Sequence, residues 1–231
     1  MNIVLVHGAY ADGSCWSDVI PLLQREGHKV TAVQNPLTSL EEDAAATRRI
    51  LDLQDGPTVL VGHSWAGTVI SEVGDHPNVA ELVFVAARAP EAAEDYGALA
   101  AQYPVPPASA GLEFIDGYGQ LTEQAFIQDF ANGVNPVKAS VLFTVQGQIS
   151  ETLFQSRTTN AAWRNKPCWY AISQQDRTTS PDLERFLALR MGARMVEIDS
   201  GHLSMLTHPR EIADLIHDAA QWLDPSTASF K

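Results

Sequence analysis

The chain has 231 residues, 45% of them apolar, and a formal charge of −13 from 28 Asp and Glu against 15 Lys and Arg. That length favours one compact domain with a subordinate insertion, able to bury roughly three-quarters of its unfolded surface. The acidic balance argues against a nucleic-acid or membrane-surface partner, and Cys15 and Cys168, with no CxxC spacing, offer neither a disulfide framework nor a structural metal site.

In chain order, short Val, Ile and Leu runs alternate with helical patterns, the signature of βα units and an α/β fold with a parallel sheet. The first run is Ile3 to Val6. A loop and a helix follow, stopped by Gly27, with Pro21 inside the helical pattern expected to shorten it. A second strand covers Lys29 to Val33. Ser39-Leu40-Glu41-Glu42 reads as a capping box opening a helix to about Leu53. Thr58 to Gly62 is the third strand, Ala66 to Gly74 a helix entered by a tight turn, and Glu81 to Ala86 the fourth strand. From Ala89 to Asn165 the chain is rich in Pro, Ala, Gly and polar residues with few strand candidates, which predicts a mainly helical cap, 89–165, inserted into a core of 1–88 and 166–231. The sheet resumes with Cys168 to Ser173. Ser180-Pro181 starts a helix that Gly192 ends. Arg194 to Ile198 is the last strand. A final helix follows His208-Pro209, with Ile212, Leu215, Ile216, Ala219 and Leu223 on one face, and a frayed tail is expected after Asp224. No apolar run could span a bilayer, and no basic segment precedes Met1-Asn2-Ile3, so a cytoplasmic location is expected.

Gly62-His63-Ser64-Trp65-Ala66-Gly67 sits where a buried strand gives way to a helix. A nucleophile elbow needs this arrangement, because a strained turn lifts the serine Oγ clear of the sheet and bulky residues two positions away would collide with strand and helix. Ala66 replaces the usual second glycine. A serine hydroxyl also needs a base, a group to orient the base, and donors for an oxyanion. His202, in a loop after the last strand, is the candidate base. Asp176, just past the preceding strand, is favoured as its orienting acid over Asp182, which faces a helix dipole, and Asp199, which is too close to His202 in sequence. The Ala9 amide after the first strand and the Trp65 amide are the candidate oxyanion donors. His63 is a poor base, because neighbouring side chains at a strand end point apart.

These motifs resemble, in order, those of the α/β-hydrolase superfamily: Val6-His7-Gly8-Ala9 with Trp16, the Ser64 elbow, Asp176-Arg177 and Gly201-His202. More narrowly the chain is similar to the small-cap branch of methyl-ester esterases and hydroxynitrile lyases. The resemblance implies an α/β-hydrolase fold of about six mostly parallel strands flanked by helices. The lyases carry a lysine after the histidine and a threonine in the oxyanion loop; Leu203 and Ala9 stand there instead.

The expectation is therefore a serine hydrolase that cleaves a small or medium carboxylic ester through an acyl-enzyme on Ser64, without metal or organic cofactor, as a monomer or homodimer. The alternatives are a C–C bond hydrolase, lyase or tailoring enzyme on the same scaffold, or a slow-turnover ligand-binding protein. Tyr10 and Arg88 are pocket candidates, as are the aromatic rings of Trp65, Phe130 and Phe143. Arg88, at a strand end, could bind a substrate carboxylate, but an ion pair with Glu91 or Asp95 is the preferred reading.

Overall fold

The computed structural model describes residues 1–222; Leu223 and the tail beyond Asp224 lie outside them. Strand β1 (Asn2–Val6) precedes a single 3₁₀ turn at Gly13–Trp16, helix α1 (Ile20–Arg25), β2 (Lys29–Val33), α2 (Leu40–Asp52), β3 (Thr58–His63), α3 (Ala66–Val73) and β4 (Val79–Val85). Next come α4 (Tyr96–Ala100), β5 (Leu112–Ile115), β6 (Tyr118–Leu121), α5 (Glu123–Ala125), a π-helical turn at Phe126–Phe130, α6 (Pro136–Thr144) and β7 (Ile149–Ser150). The chain then forms β8 (Cys168–Ser173), α7 (Pro181–Met191), β9 (Arg194–Ile198), α8 (Ser204–Thr207) and α9 (Pro209–Gln221).

Six strands form one parallel sheet in the order β2-β1-β3-β4-β8-β9. The central strands are buried on both faces. Ile3, Val4, Leu5 and Val6 have no exposed surface, and neither do Val59, Leu60 and Val61 on the neighbouring β3. Each such side chain stabilises the fold by about 1.5–3 kcal/mol relative to leaving it in water, so the strand ends form a firm platform.

Local differences from expectation have simple causes. Pro21 lies in the first turn of α1, where its missing N–H costs nothing, so it opens that short helix and does not cut it. Half of the capping box forms: Ser39 Oγ accepts from the Glu42 amide, but the Glu42 carboxylate accepts from the Thr38 hydroxyl and not from the Ser39 amide. Strand β4 begins two residues earlier than the apolar run suggested. The segment 89–165 holds, besides its short helices, an antiparallel sheet β5-β6-β7. Its hairpin turns at Asp116-Gly117, both with positive φ (51° and 82°), the geometry that Asp-Gly favours between paired strands.

Cys15 and Cys168 are buried free thiols, and burial pushes both up, Cys168 to about 12. No group of three or more potential metal-ligating side chains occurs, and no helix is long and apolar enough to cross a membrane, among the described residues.

Candidate active site

The site lies at the carboxyl ends of β1, β3, β4 and β8. Ser64 follows β3 with φ 55°, a left-handed conformation that a serine adopts only when its surroundings impose it. They do so through the backbone. Its amide donates to the Val85 carbonyl at 3.1 Å, and its carbonyl accepts from the amides of Gly67 and Arg88, each at 3.0 Å. Gly62 lets the first turn of α3 approach β3, since a Cβ there would stand 2.9 Å from the Ala66 carbonyl oxygen.

The loop after β1 crosses directly beside the serine. A Cβ on Gly8 would lie 2.8 Å from Ser64 Cβ, so only glycine fits. His7 fixes this loop with both ring nitrogens: Nδ1 pairs with the Gly8 carbonyl at 2.9 Å, and Nε2 accepts from the Asn35 amide at 2.8 Å. That pattern leaves the ring neutral, and burial lowers its affinity for a second proton. Neither the Ala9 nor the Trp65 amide donates to an acceptor among the described residues.

His202 is buried in the loop before α8. Its Nδ1 lies 2.5 Å from Asp176 Oδ2, while Asp176 Oδ1 accepts from the amides of Thr178 at 2.6 Å and Thr179 at 2.8 Å. Behind this pair, buried Glu184 accepts from the Ser173 amide at 2.9 Å. Burial and then the nearby Asp176 charge raise Glu184 well above the usual carboxylate range, which favours its protonated form. The remaining nitrogen, His202 Nε2, is buried without a partner among the described residues, so no hydrogen bond joins it to Ser64 Oγ. The serine–imidazole bond is thus not closed here; such bonds commonly tighten only with substrate in place.

His63 does not compete for the base role. Its ring packs 4.6 Å from that of His202, with Nε2 paired at 3.0 Å to the His202 carbonyl, so it supports the imidazole from beneath. Asp182 pairs with Arg185, and Asp199 accepts from Gln175; neither is bonded to His202.

Ser64 opens into a cavity of about 220 Å³ walled by Ala9, Tyr10, Trp65, Arg88 and Phe154, among others. Of the expected aromatics, Phe130 packs 5.3 Å from the His202 ring, whereas Phe143 packs on Phe126 and does not line this cavity. The preferred ion pair of Arg88 does not form. Glu91 binds Arg164, and Asp95 binds Arg157 at 2.9 Å, so both carboxylates are taken within their own segment. Arg88 stands over the rings of Phe154, Tyr96 and Trp65, at 4.2, 4.9 and 5.4 Å.

Several supporting residues escaped the sequence reading, Asn35, Phe154, Glu184 and Asp43, and His7 was read only as part of its motif, without a role. Asp43 left a usable signal, because it falls on the helical face shared with Leu40, Ala44, Thr47 and Leu51, all buried. Its carboxylate accepts from Trp65 Nε1 and from the Leu37 amide, both at 2.8 Å, which ties α2 to the elbow. Burial outweighs those bonds and raises Asp43 from 3.8 to about 6. Between those values the folded chain holds more proton than the unfolded one, so this group's contribution falls as pH rises. Asp43→Asn removes that titration. The stability of the variant relative to the parent is expected to rise by about 2–3 kcal/mol between pH 4 and pH 7. Urea denaturation of both chains across that range measures it, and a flat difference would place the carboxylate in water.

A parallel sheet with helices on both faces and a serine at the turn from β3 to α3 defines the α/β-hydrolase class of fold. The chain belongs to the alpha/beta hydrolase family, whose sequence profile matches residues 3–215. It is 33% identical to a carbendazim hydrolyzing esterase of Nocardioides sp. (strain SG-4G) over 51% of this chain, and the match spans 53% of that relative, about half its length. With methylesterase 2 of Arabidopsis thaliana it shares 24% identity over 92% of this chain and 93% of the relative. The crystal structure of polyneuridine aldehyde esterase superposes with a TM-score of 0.81 at 19% identity, covering 95% of this chain and 99% of that one, a likeness of fold.

Proposed function

We propose that this chain is a serine carboxylic-ester hydrolase acting on a small or medium ester. The observation that carries the reading is the buried Asp176–His202 pair at 2.5 Å, its imidazole 4.6 Å from the ring of His63, next in the chain to a serine held at φ 55° in the wall of a cavity. Relatives named esterase and methylesterase support the same chemistry.

Ser64 Oγ attacks the ester carbonyl carbon while His202 Nε2 takes the hydroxyl proton. Asp176 holds the tautomer and balances the imidazolium. The amides of Ala9 and Trp65 receive the oxyanion, each donor worth about 3 kcal/mol of barrier. Collapse breaks the bond to the alcohol, which leaves with the proton from His202. Water, deprotonated by the same nitrogen, then attacks the acyl-enzyme and releases the acid. Protons and electrons balance without metal or organic cofactor. The machinery belongs to a core of residues 1–88 and the chain from 166 onward, roofed by the cap 89–165. We place the enzyme in the cytoplasm, as a monomer or homodimer.

The test is p-nitrophenyl butyrate turnover together with labelling by a fluorophosphonate and peptide mass mapping. Steady release of many equivalents of nitrophenolate and a single adduct on Ser64 are expected. A burst of one equivalent without turnover would instead indicate a slow-turnover binder, and an adduct elsewhere would remove Ser64 from the mechanism.

A further inference from the structure

Arg88 leaves the end of β4 beside the elbow, its amide bonded to the Ser64 carbonyl at 3.0 Å, and its side chain lines the Ser64 cavity. No carboxylate of the described residues comes within 4.0 Å of its guanidinium, and no carbonyl or hydroxyl accepts from it. Aromatic faces attract the cation on three sides but supply no acceptors for its five N–H donors. Half-burial without an anion is costly for a guanidinium, and burial lowers its hold on the proton. The carboxylates that follow Arg88 in the chain are engaged elsewhere: Glu91 with Arg164, Asp95 with Arg157, and Glu94 with Arg190 at 2.7 Å.

A second, smaller cavity of about 130 Å³ adjoins the first, and Arg88, Thr178 and Thr179 line both. Two further hydroxyls in this wall are buried without partners, Tyr96 Oη and Thr178 Oγ1. A planar fork of donors held by aromatic rings at the wall of a cavity is complementary to a carboxylate. The molecule as a whole carries −13 and repels anions, so a cation at this point reverses the local sign where a ligand would sit.

We propose that Arg88 is an anion-recognition residue of the Ser64 cavity and that the ester substrate bears a carboxylate, on either its acyl or its alcohol portion. The proposal rests on the hydrolase reading for its substrate, but not for its binding site. The carboxylate takes no part in bond making; it orients the ester so that its carbonyl meets Ser64 Oγ.

The experiment compares charged esters with neutral isosteres in which an amide replaces the acid. One arm uses monomethyl succinate, glutarate and adipate; the other uses butyryl esters of 3-hydroxypropionate and 4-hydroxybutyrate. Acid release in a pH-stat gives the ratio of kcat/KM for each pair. The native enzyme is expected to prefer the charged ester by tenfold or more in at least one arm, chiefly through KM. Arg88→Met is expected to bring that ratio close to one. Arg88→Lys, which keeps the stem and the charge, is expected to retain part of it, and this guards against a loss caused by misfolding. A ratio near one in the native enzyme, or the same ratio in Arg88→Met, overturns the proposal. If native enzyme turns over none of these esters, p-nitrophenyl butyrate turnover still decides the hydrolase reading, and the anion site is judged by calorimetric titration of Ser64→Ala with monomethyl glutarate. Binding that weakens tenfold in Ser64→Ala/Arg88→Met sustains the site, and absent or unchanged binding overturns it.

Discussion

Ser64→Ala is expected to lower kcat for ester hydrolysis by about a millionfold, and His202→Ala by a similar factor. The two residues act on one proton, so the double variant should be hardly slower than either single one; independent contributions would multiply. Asp176→Asn keeps the shape but can donate where the carboxylate accepts. The amide favours the wrong imidazole tautomer, and a loss of about 10⁴ is expected. Its two backbone donors, from Thr178 and Thr179, still find the Asn oxygen only if the side-chain amide turns its nitrogen toward His202, which is what spoils the tautomer. Single-turnover kinetics on p-nitrophenyl butyrate separate acylation from release. Near-native acylation in His202→Ala would require another base, and buried His63, already bonded to a carbonyl, is not positioned to be one.

Gly67→Ala is expected to have the largest effect on stability. The helix itself would welcome alanine by about 1 kcal/mol. The added methyl, however, would overlap the Arg88 carbonyl oxygen and stand 2.8 Å from the carbonyl carbon and amide nitrogen of the same residue. Backbone cannot rotate aside as a side chain can. That segment is held from its other side as well, since Tyr170 Oη donates to the Ala87 carbonyl at 2.6 Å and accepts from the Ala87 amide at 3.0 Å. Relief therefore requires α3 to lift from the strand ends, exposing part of a face that is wholly buried. A loss of about 4 kcal/mol or more is expected, at the upper end of overpacking effects, with Tm falling by roughly 10 °C or more. Gly56→Ala is the control. Its methyl meets nothing within 4 Å, and its effect should stay within about 0.5 kcal/mol. Equal melting of the two variants would show that α3 can shift without loss.

The core was legible because buried parallel strands declare themselves as apolar runs, and Ser64 and Asp176 each follow one, whereas His202 follows the largely exposed strand β9 and was found by its place after the last strand. The hairpin at Asp116-Gly117 was less visible, since its strands of four residues are largely exposed and lack a continuous apolar signal. Its turn dipeptide was the available clue. Arg88 failed for a different reason. Ion-pair partners can be proposed from proximity along the chain, but Glu91 and Asp95 are drawn to Arg164 and Arg157, which lie more than sixty positions away. Only the folded arrangement reveals which cation is left facing the cavity. Asp43, and the bonding role of His7 within its motif, were hidden because their partners are main-chain groups and an indole nitrogen, which carry no sequence label.

Three imidazoles gather at the ends of β1 and β3. Burial holds His7 below its ordinary range and His63 well below it, with His202 itself adding to the second effect. On the proposed mechanism a positive charge appears on His202 each time Ser64 loses its proton. Because the His63 ring packed against it is neutral, that transient cation meets no repulsion from this neighbour and a fixed anion at its side. The tilted histidine thus serves as a dry, uncharged floor, and Asp176 is the anion that answers the nascent charge.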